Sequence, residues 1–313
     1  MADIEDGHYN NSHRAFVQAF MARSVLTFDQ AKPILAHIQS VHDSRETLPG
    51  DVTEADFNAY ITTANNALSP YDYEIRSTFS QHDRTRIYAL VNTTSDPATQ
   101  LATLHTADEI AFLKRVLDAM FETNNTTLRE VMAVTSMQAL QLHKNPSVGQ
   151  TQNGGATQGS TGPGLTMSQA EKMLKDLVEE GWFELSKKGY YSLTPRALIE
   201  LRGWLLQTYN EPDDEDEGEQ EQRVDRIKLC QACKEIVTIG QRCPNRECPC
   251  RLHNFCTRNI FRIEKAERCP ICKTGWTDPL HVGEKAAGAT TGARRSTGGP
   301  SRRDSTRVDS DDE

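Results

Sequence analysis

The chain has 313 residues, a formal net charge of −9 and a mean hydropathy of −0.61, which bounds it to two or three domains with modest cores and polar connecting segments. No apolar run approaches the roughly 18 residues of a membrane span, so no membrane partner is expected. The overall acidity argues against indiscriminate nucleic-acid binding but leaves room for a local basic face.

The start, Met1-Ala-Asp-Ile-Glu, has neither the basic nor the apolar region of a signal peptide. His13 to Met21 places Phe16, Phe20 and Met21 on one helical face. Asp29 is positioned to cap a second helix carrying Ile34, Leu35 and Ile38. Thr53-Glu-Ala-Asp56 has the form of a capping box and opens a third helix with Phe57, Tyr60, Ile61 and Ala64 turned inward. Two strand-like runs follow, Tyr73 to Phe79 and Arg86 to Val91, separated by Gln81-His-Asp-Arg84. Three helices and a hairpin in this order describe a winged helix, bounded at 8–98.

The order then repeats over 101–210. Thr106-Ala-Asp-Glu109 is another capping box, ahead of the stripe Ile110, Leu113, Val116, Leu117 and Met120. A short helix is predicted from Thr127 through Val131. Ser168-Gln-Ala-Glu171 caps a helix carrying Ala170, Met173, Leu174 and Leu177, which Gly181 ends. Trp182 to Leu185 and Tyr190 to Leu193 make a hairpin, and Thr194-Pro195 starts a last helix through Leu206. The fold class is mainly α with small β-hairpins (α+β): tandem winged helices, then a zinc-binding domain at 225–277. Residues 145–164, rich in Gly, Thr, Gln and Ser, read as a disordered insertion in the second winged helix. Residues 211–224 form an acidic linker, and the tail 278–313 is expected to be disordered.

All eight cysteines fall between Cys230 and Cys272. Two CxxC pairs, Cys230/Cys233 and Cys269/Cys272, flank a cluster of Cys243, Cys248, Cys250, His253 and Cys256. A CxxC turn sets two thiolates on one side of a tight loop, and thiolate with imidazole is the donor set of closed structural zinc sites. Eight Cys with His253 make nine candidates for two zinc ions of four ligands each. Leaving out Cys250 and interleaving the rest as a cross-brace assigns Cys230, Cys233, His253 and Cys256 to one ion. Cys243, Cys248, Cys269 and Cys272 then hold the other, with Cys250 in place of Cys248 as the open alternative. A disulfide-rich secreted module is the competing reading. Clustered thiols in a chain with no other cysteine favour metal and an intracellular compartment, cytosol or nucleus.

A histone-reading finger usually carries an aromatic residue two positions before the seventh ligand, where this chain has Glu267. A RING-type ligase needs no nucleophile of its own: its zinc loops present a shallow apolar patch to a ubiquitin-conjugating enzyme, so its contribution is positioning. The candidate contacts are Ile236, Val237, Pro270 and Ile271, with Lys273 where such ligases often carry an arginine. Lysine lacks the planar fork of arginine, and Ala232 is smaller than the usual aliphatic, so weak or partner-dependent activity is expected. Each of these side chains can equally pack the small finger. The other histidines receive no site role, and neither a phosphate-binding loop nor a hydrolase elbow occurs.

Tandem winged helices followed by a four-Cys, one-His, three-Cys ligand order resemble the non-SMC element 1 family, the RING-type subunit of the Smc five-six chromosome-maintenance complex. The similarity is carried by His13 to Val25, by Ile87-Tyr-Ala-Leu-Val-Asn92, and by the spacings Cys230-x2-Cys233-x9-Cys243 and Cys248-x4-His253-x2-Cys256, covering about residues 10–277. The last spacing favours Cys248 over Cys250. The gap Cys243-x4-Cys248 is longer than the family's usual pair, and the insertion is unusual there. The resemblance implies docking to a MAGE-type partner (non-SMC element 3), assembly on a kleisin (non-SMC element 4), and ubiquitin-ligase activity boosted by the MAGE partner. It further implies a nuclear, chromosome-associated role in recombinational DNA repair, any DNA contact being indirect. The alternatives are a non-catalytic assembly subunit of the same complex, or a winged-helix DNA- or chromatin-binding protein.

Overall fold

A computed structural model of the chain describes residues 9–93, 105–144, 164–210, 225–278 and 280–288. The acidic linker, nearly all of the insertion and the tail beyond 288 lie outside the described residues.

The first unit packs three helices on a three-stranded sheet. Helix α1 (Asn11–Arg23) starts at an Asn10/His13 capping box and buries Phe16 and Phe20. Met21, expected on the same face, is 69% exposed, because one further residue turns it about 100° away from Phe20. Strand β1 (Val25–Thr27) was too short for its pattern to register. Its last residue, Thr27, caps α2 (Phe28–Asp43) by accepting from the Gln30 amide. Asp29 is therefore not the cap; it sits in the first turn, paired with Lys32 at 3.0 Å. The Thr53/Asp56 box opens α3 (Glu54–Leu68) as expected, and hydrogen bonds from Thr53 hold the Asp56 carboxyl below the usual carboxylate range. Strands β2 (Tyr73–Phe79) and β3 (Arg86–Asn92) pair antiparallel from Tyr73↔Asn92 to Phe79↔Arg86, with β1 on the far edge of β3. Aromatic edges fix the core: Phe57 meets Phe16 at 5.7 Å and Tyr88 at 4.8 Å between centroids.

The second unit repeats the plan with smaller parts. Helix α4 (Ala107–Asp118) begins at the Thr106/Glu109 box and runs into a π-turn at Ala119–Thr123. No helix forms over Thr127 to Val131. There the chain loops back, with Val131 N–H donating to the Asn124 carbonyl, and turns Glu130 inward. The short helix lies further on: β4 (Val134–Thr135) leads to α5 (Ser136–Gln141), capped by a Thr135/Gln138 box. Thr166 with Gln169, rather than Ser168 with Glu171, caps α6 (Met167–Glu179). Gly181 follows at φ +78°, a left-handed conformation that glycine adopts without a Cβ clash. Strands β5 (Phe183–Leu185) and β6 (Tyr190–Leu193) complete a sheet of order β4-β6-β5. The expected last helix is two, α7 (Pro195–Glu200) and α8 (Arg202–Asn210), parted by a distorted turn at buried Leu201.

The cysteine-rich unit has a sheet of β7 (Gly240–Arg242) between β8 (Arg251–Leu252) and β9 (Leu280–Val282), with one long helix, α9 (Asn254–Glu264). Strand β9 and the turn of helix α10 (Glu284–Ala287) correct the expectation of disorder from residue 278. Val282 pairs with Gly240, Gly283 N–H donates to the Glu130 carbonyl, and Ala286 is buried against Val131 and Ala133. Gly283 is at φ +92°, and a Cβ there would lie 2.6 Å from the Thr238 carbonyl oxygen, so only glycine lets the chain approach this closely. Two apolar pairing residues in a polar segment are too few for a periodic signal. No described helix is long and apolar enough to cross a membrane.

Candidate metal centre

Each CxxC pair sits on a tight turn of the same build. In the first, Lys234 N–H donates to the Cys230 carbonyl at 2.9 Å; in the second, Lys273 N–H donates to the Cys269 carbonyl at 3.0 Å. Lys234 and Lys273, directly after the pairs, take left-handed conformations at φ 62° and 60°. This turn lifts both sulfurs to one side. The other half of the first set comes from α9: His253 is its N-cap and Cys256 lies in its first turn, so three-residue spacing brings both to one helix face.

Cys230, Cys233, His253 and Cys256 present ligand atoms that all lie within 4.8 Å of one another, and so do Cys243, Cys248, Cys269 and Cys272. These are the two interleaved quartets that the spacing predicts. Cys243 Sγ lies 3.4 Å from Cys272 Sγ, and Cys248 Sγ 3.7 Å from Cys269 Sγ. Sulfurs around a tetrahedral ion with bonds near 2.3 Å are about 3.8 Å apart, so the second quartet fits a single ion. Cys250 is fully buried but outside both quartets, its carbonyl accepting from the Cys243 amide. The eight cysteines are all free of disulfides.

The donors of the first quartet are crowded together and shift one another's titration. Contacts with Cys233 and Cys256 pull the Cys230 thiol well below its usual range, whereas contacts with Cys230 and Cys233 push Cys256 above it. Burial works against a charged His253, yet the sulfurs of Cys230 and Cys233 outweigh it and raise the imidazole to about 10. His253 Nδ1 faces the sulfurs, 3.3 Å from Cys233 Sγ, and Nε2–H donates to the Ile236 carbonyl at 3.1 Å. That outer bond assigns the proton to Nε2 and leaves Nδ1 free as a ligand. In the second quartet, hydrogen bonds with Thr274 lower the exposed Cys272 thiol to about 6.

Cys250→Ala is expected to keep two metal equivalents per chain and Cys248→Ala to drop to one, measured by elemental analysis of purified protein. Two equivalents in both variants would return Cys250 to the ligand set.

Several supporting residues carry no local sequence signal. Glu130, from the loop before β4, is 4% exposed and forms ion pairs with two arginines of the cysteine-rich unit. Arg251 Nε meets its carboxylate at 2.7 Å and Arg242 Nη1 at 3.1 Å. Arg251 also donates to the carbonyls of Cys248 and Cys250, and Arg242 to those of Thr127 and Arg246. These two arginines of the cysteine-rich unit are buried and add nothing to a basic face.

Of the expected conjugating-enzyme contacts, Ile236 and Val237 are corrected outright: they are 2% and 0% exposed, packed into the apolar core that the cysteine-rich unit shares with the second unit. Ile271 is 45% exposed, Lys273 is exposed and Pro270 is half-buried. Trp276 is a core residue, its Nε1–H donating to Gln241 Oε1 and its ring set on the edge of Phe261.

Two cross-braced quartets on a small sheet and one helix define a RING-like metal-binding module, and residues 230–272 match the RING-like domain family. Residues 13–201, more than half of the chain, match the family described as the Nse1 non-SMC component of the SMC5-6 complex, and the chain belongs to that family. It is 25% identical over 270 residues to the non-structural maintenance of chromosomes element 1 homolog of Homo sapiens, covering 86% of this chain and 85% of that protein. It is 23% identical over 297 residues to the Bos taurus homolog, covering 95% and 96%. The Schizosaccharomyces pombe non-structural maintenance of chromosomes element 1 is 22% identical over 223 residues, covering 71% and 78%. A chain of a solved Nse1-Nse3-Nse4 complex has a similar fold, with TM-score 0.64 and 22% identity over 86% of this chain and 98% of that one.

Proposed function

We propose that each quartet holds one zinc ion and that the module so braced is the RING of a ubiquitin-protein ligase subunit of the SMC5-6 complex. The observation that carries this reading is the interleaving of the two quartets, which ties both CxxC turns to α9 and β7. Zinc bound there closes loops and supplies no reaction step. The donor set suits it: three thiols with an imidazole, and four thiols, each within the reach of one tetrahedral ion.

The chain's own residues supply a platform. Pro270 and Ile271 project from the second CxxC turn and Lys273 stands beside them, so a conjugating enzyme docked there would keep the reacting thioester on itself while the module restricts its conformations. The two helical units support a winged-helix reading, since each packs helices on a three-stranded sheet with its last strand in the middle. By analogy with the solved Nse1-Nse3-Nse4 complex, these units dock a MAGE-type Nse3 and a kleisin Nse4. The role that follows is nuclear and chromosome-associated, in DNA repair and recombination.

A second reading, a non-catalytic assembly subunit, is favoured by the burial of Ile236 and Val237 and by the small exposed Ala232. Ubiquitin discharge from a loaded conjugating enzyme, with and without the Nse3-type partner, decides between them. Ile271→Ala is expected to slow partner-stimulated discharge about tenfold, for a loss of about 1.4 kcal/mol of positioning. If the wild-type complex never accelerates discharge, the assembly reading stands.

A further inference from the structure

The turn between β2 and β3 crosses from the first unit to the RING-like module, and Gln81 makes the crossing. Its Nε2 donates to the Ile236 carbonyl at 3.0 Å, and its Oε1 accepts from the Thr238 and Ile239 amides at 3.1 and 2.8 Å. One side chain thus satisfies three backbone groups of the loop that follows the first CxxC turn. The Ile236 carbonyl is also the acceptor for His253 Nε2–H, at 3.1 Å. A carbonyl oxygen has two lone pairs, so both bonds coexist. The neighbours of Gln81 make other contacts: His82 Nε2 lies 2.9 Å from a Glu184 carboxylate oxygen of the second unit, and Arg84 stacks at 3.3 Å on Phe255, in α9 of the RING-like module.

We infer that Gln81 is a positioning residue for the first metal site, acting through the Ile236 carbonyl on His253, so that docking of the first unit and filling of that site are linked. A ligating imidazole must be neutral, with its outer nitrogen held to a fixed acceptor, and such outer contacts set both ring orientation and basicity. Here the acceptor belongs to a loop segment with no ligand of its own between Ile236 and Ile239, and Gln81 grips that segment at both ends. Linkage makes the effect mutual: a filled first quartet holds the loop in the shape Gln81 grips, and a docked first unit tightens the quartet. The second quartet is tied to the second unit, through Arg251 and Glu130.

The inference rests on the zinc reading, and the test separates the two. Full-length protein is loaded with Co²⁺, whose absorption distinguishes a three-Cys, one-His centre from a four-Cys centre, and is then challenged with a chelator. Wild type is expected to hold two ions. Gln81→Ala is expected to weaken the first site about tenfold with the second unchanged. Gln81→Glu keeps an acceptor for the two amides but repels the Ile236 carbonyl, and is expected to weaken the same site. His82→Ala alters the same turn but removes none of the three bonds to the loop, and is expected to leave both sites intact. The inference is overturned if Gln81→Ala keeps its first ion like wild type, if it loses both ions equally, or if His82→Ala loses the first ion as readily. Wild-type protein binding fewer than two ions would overturn the zinc reading itself.

Discussion

Stripping the metal with a strong chelator is expected to unfold residues 225–288 while leaving the helices of the first unit protected. The reason is the size of the module's own core. Apart from cysteines, its buried apolar residues are Ile227, Ile236, Val237, Leu252, Trp276, Val282 and Ala286. A set this small cannot balance the conformational entropy of some sixty ordered residues, at roughly 1–2 kcal/mol each for the backbone alone. Structural zinc contributes about 10–16 kcal/mol per site, comparable with the whole stability of an ordinary domain. The first unit has its own aromatic core around Phe16, Phe20, Phe57 and Tyr88 and does not depend on the ions for folding. Hydrogen exchange checks the expectation: amides of β7, β8 and β9 should exchange freely after chelation, and those of α1 and α3 should not. Acid should act in the same direction. Every ligand must be deprotonated to bind, so returning protons displace metal as pH falls. Unchanged exchange in the chelated protein, or thiols found oxidised in pairs, would sink the assignment.

Glu130→Gln is expected to destabilise the chain by about 3–5 kcal/mol, the cost of leaving a buried charge without its partner. The carboxylate serves two arginines that are each 2% exposed, and the amide that replaces it neutralises neither. The damage should reach the second metal site, because Arg251 also holds the carbonyls of Cys248 and Cys250. Urea unfolding measures the loss, and a double-mutant cycle with Arg251→Met assigns it. The double variant should recover part of the stability, since removing both partners leaves fewer stranded charges than removing one. A single-variant loss below about 1 kcal/mol would mean that water reaches the pair and screens it.

Much of the site was legible in the residues alone, because metal ligation is encoded by residue type and short spacing. Cys230-x2-Cys233, His253-x2-Cys256 and Cys269-x2-Cys272 each form on a single turn or helix end, so local geometry carries the pattern. The capping boxes at Thr53 and Thr106 were legible for the same reason: cap and N3 residue lie within one turn. Where two caps competed, the preceding strand decided. Thr27 ends β1 in an extended conformation that aims its hydroxyl at the Gln30 amide, and Asp29 is already inside the helix.

Only the tertiary structure determined which residues support those ligands and which face outward. Ile236 and Val237 are aliphatic and follow a CxxC turn, which says nothing of the core, shared with the second unit, that buries them. Arg242 and Arg251 count as cations in composition, yet their charge is cancelled by Glu130, more than a hundred residues earlier. Strand β9 exists because β7 offers it an edge and Gly283 allows the close approach behind it. Contacts within a turn are written in the order of residues. Contacts between units depend on how three folded bodies meet, and no local pattern records that meeting.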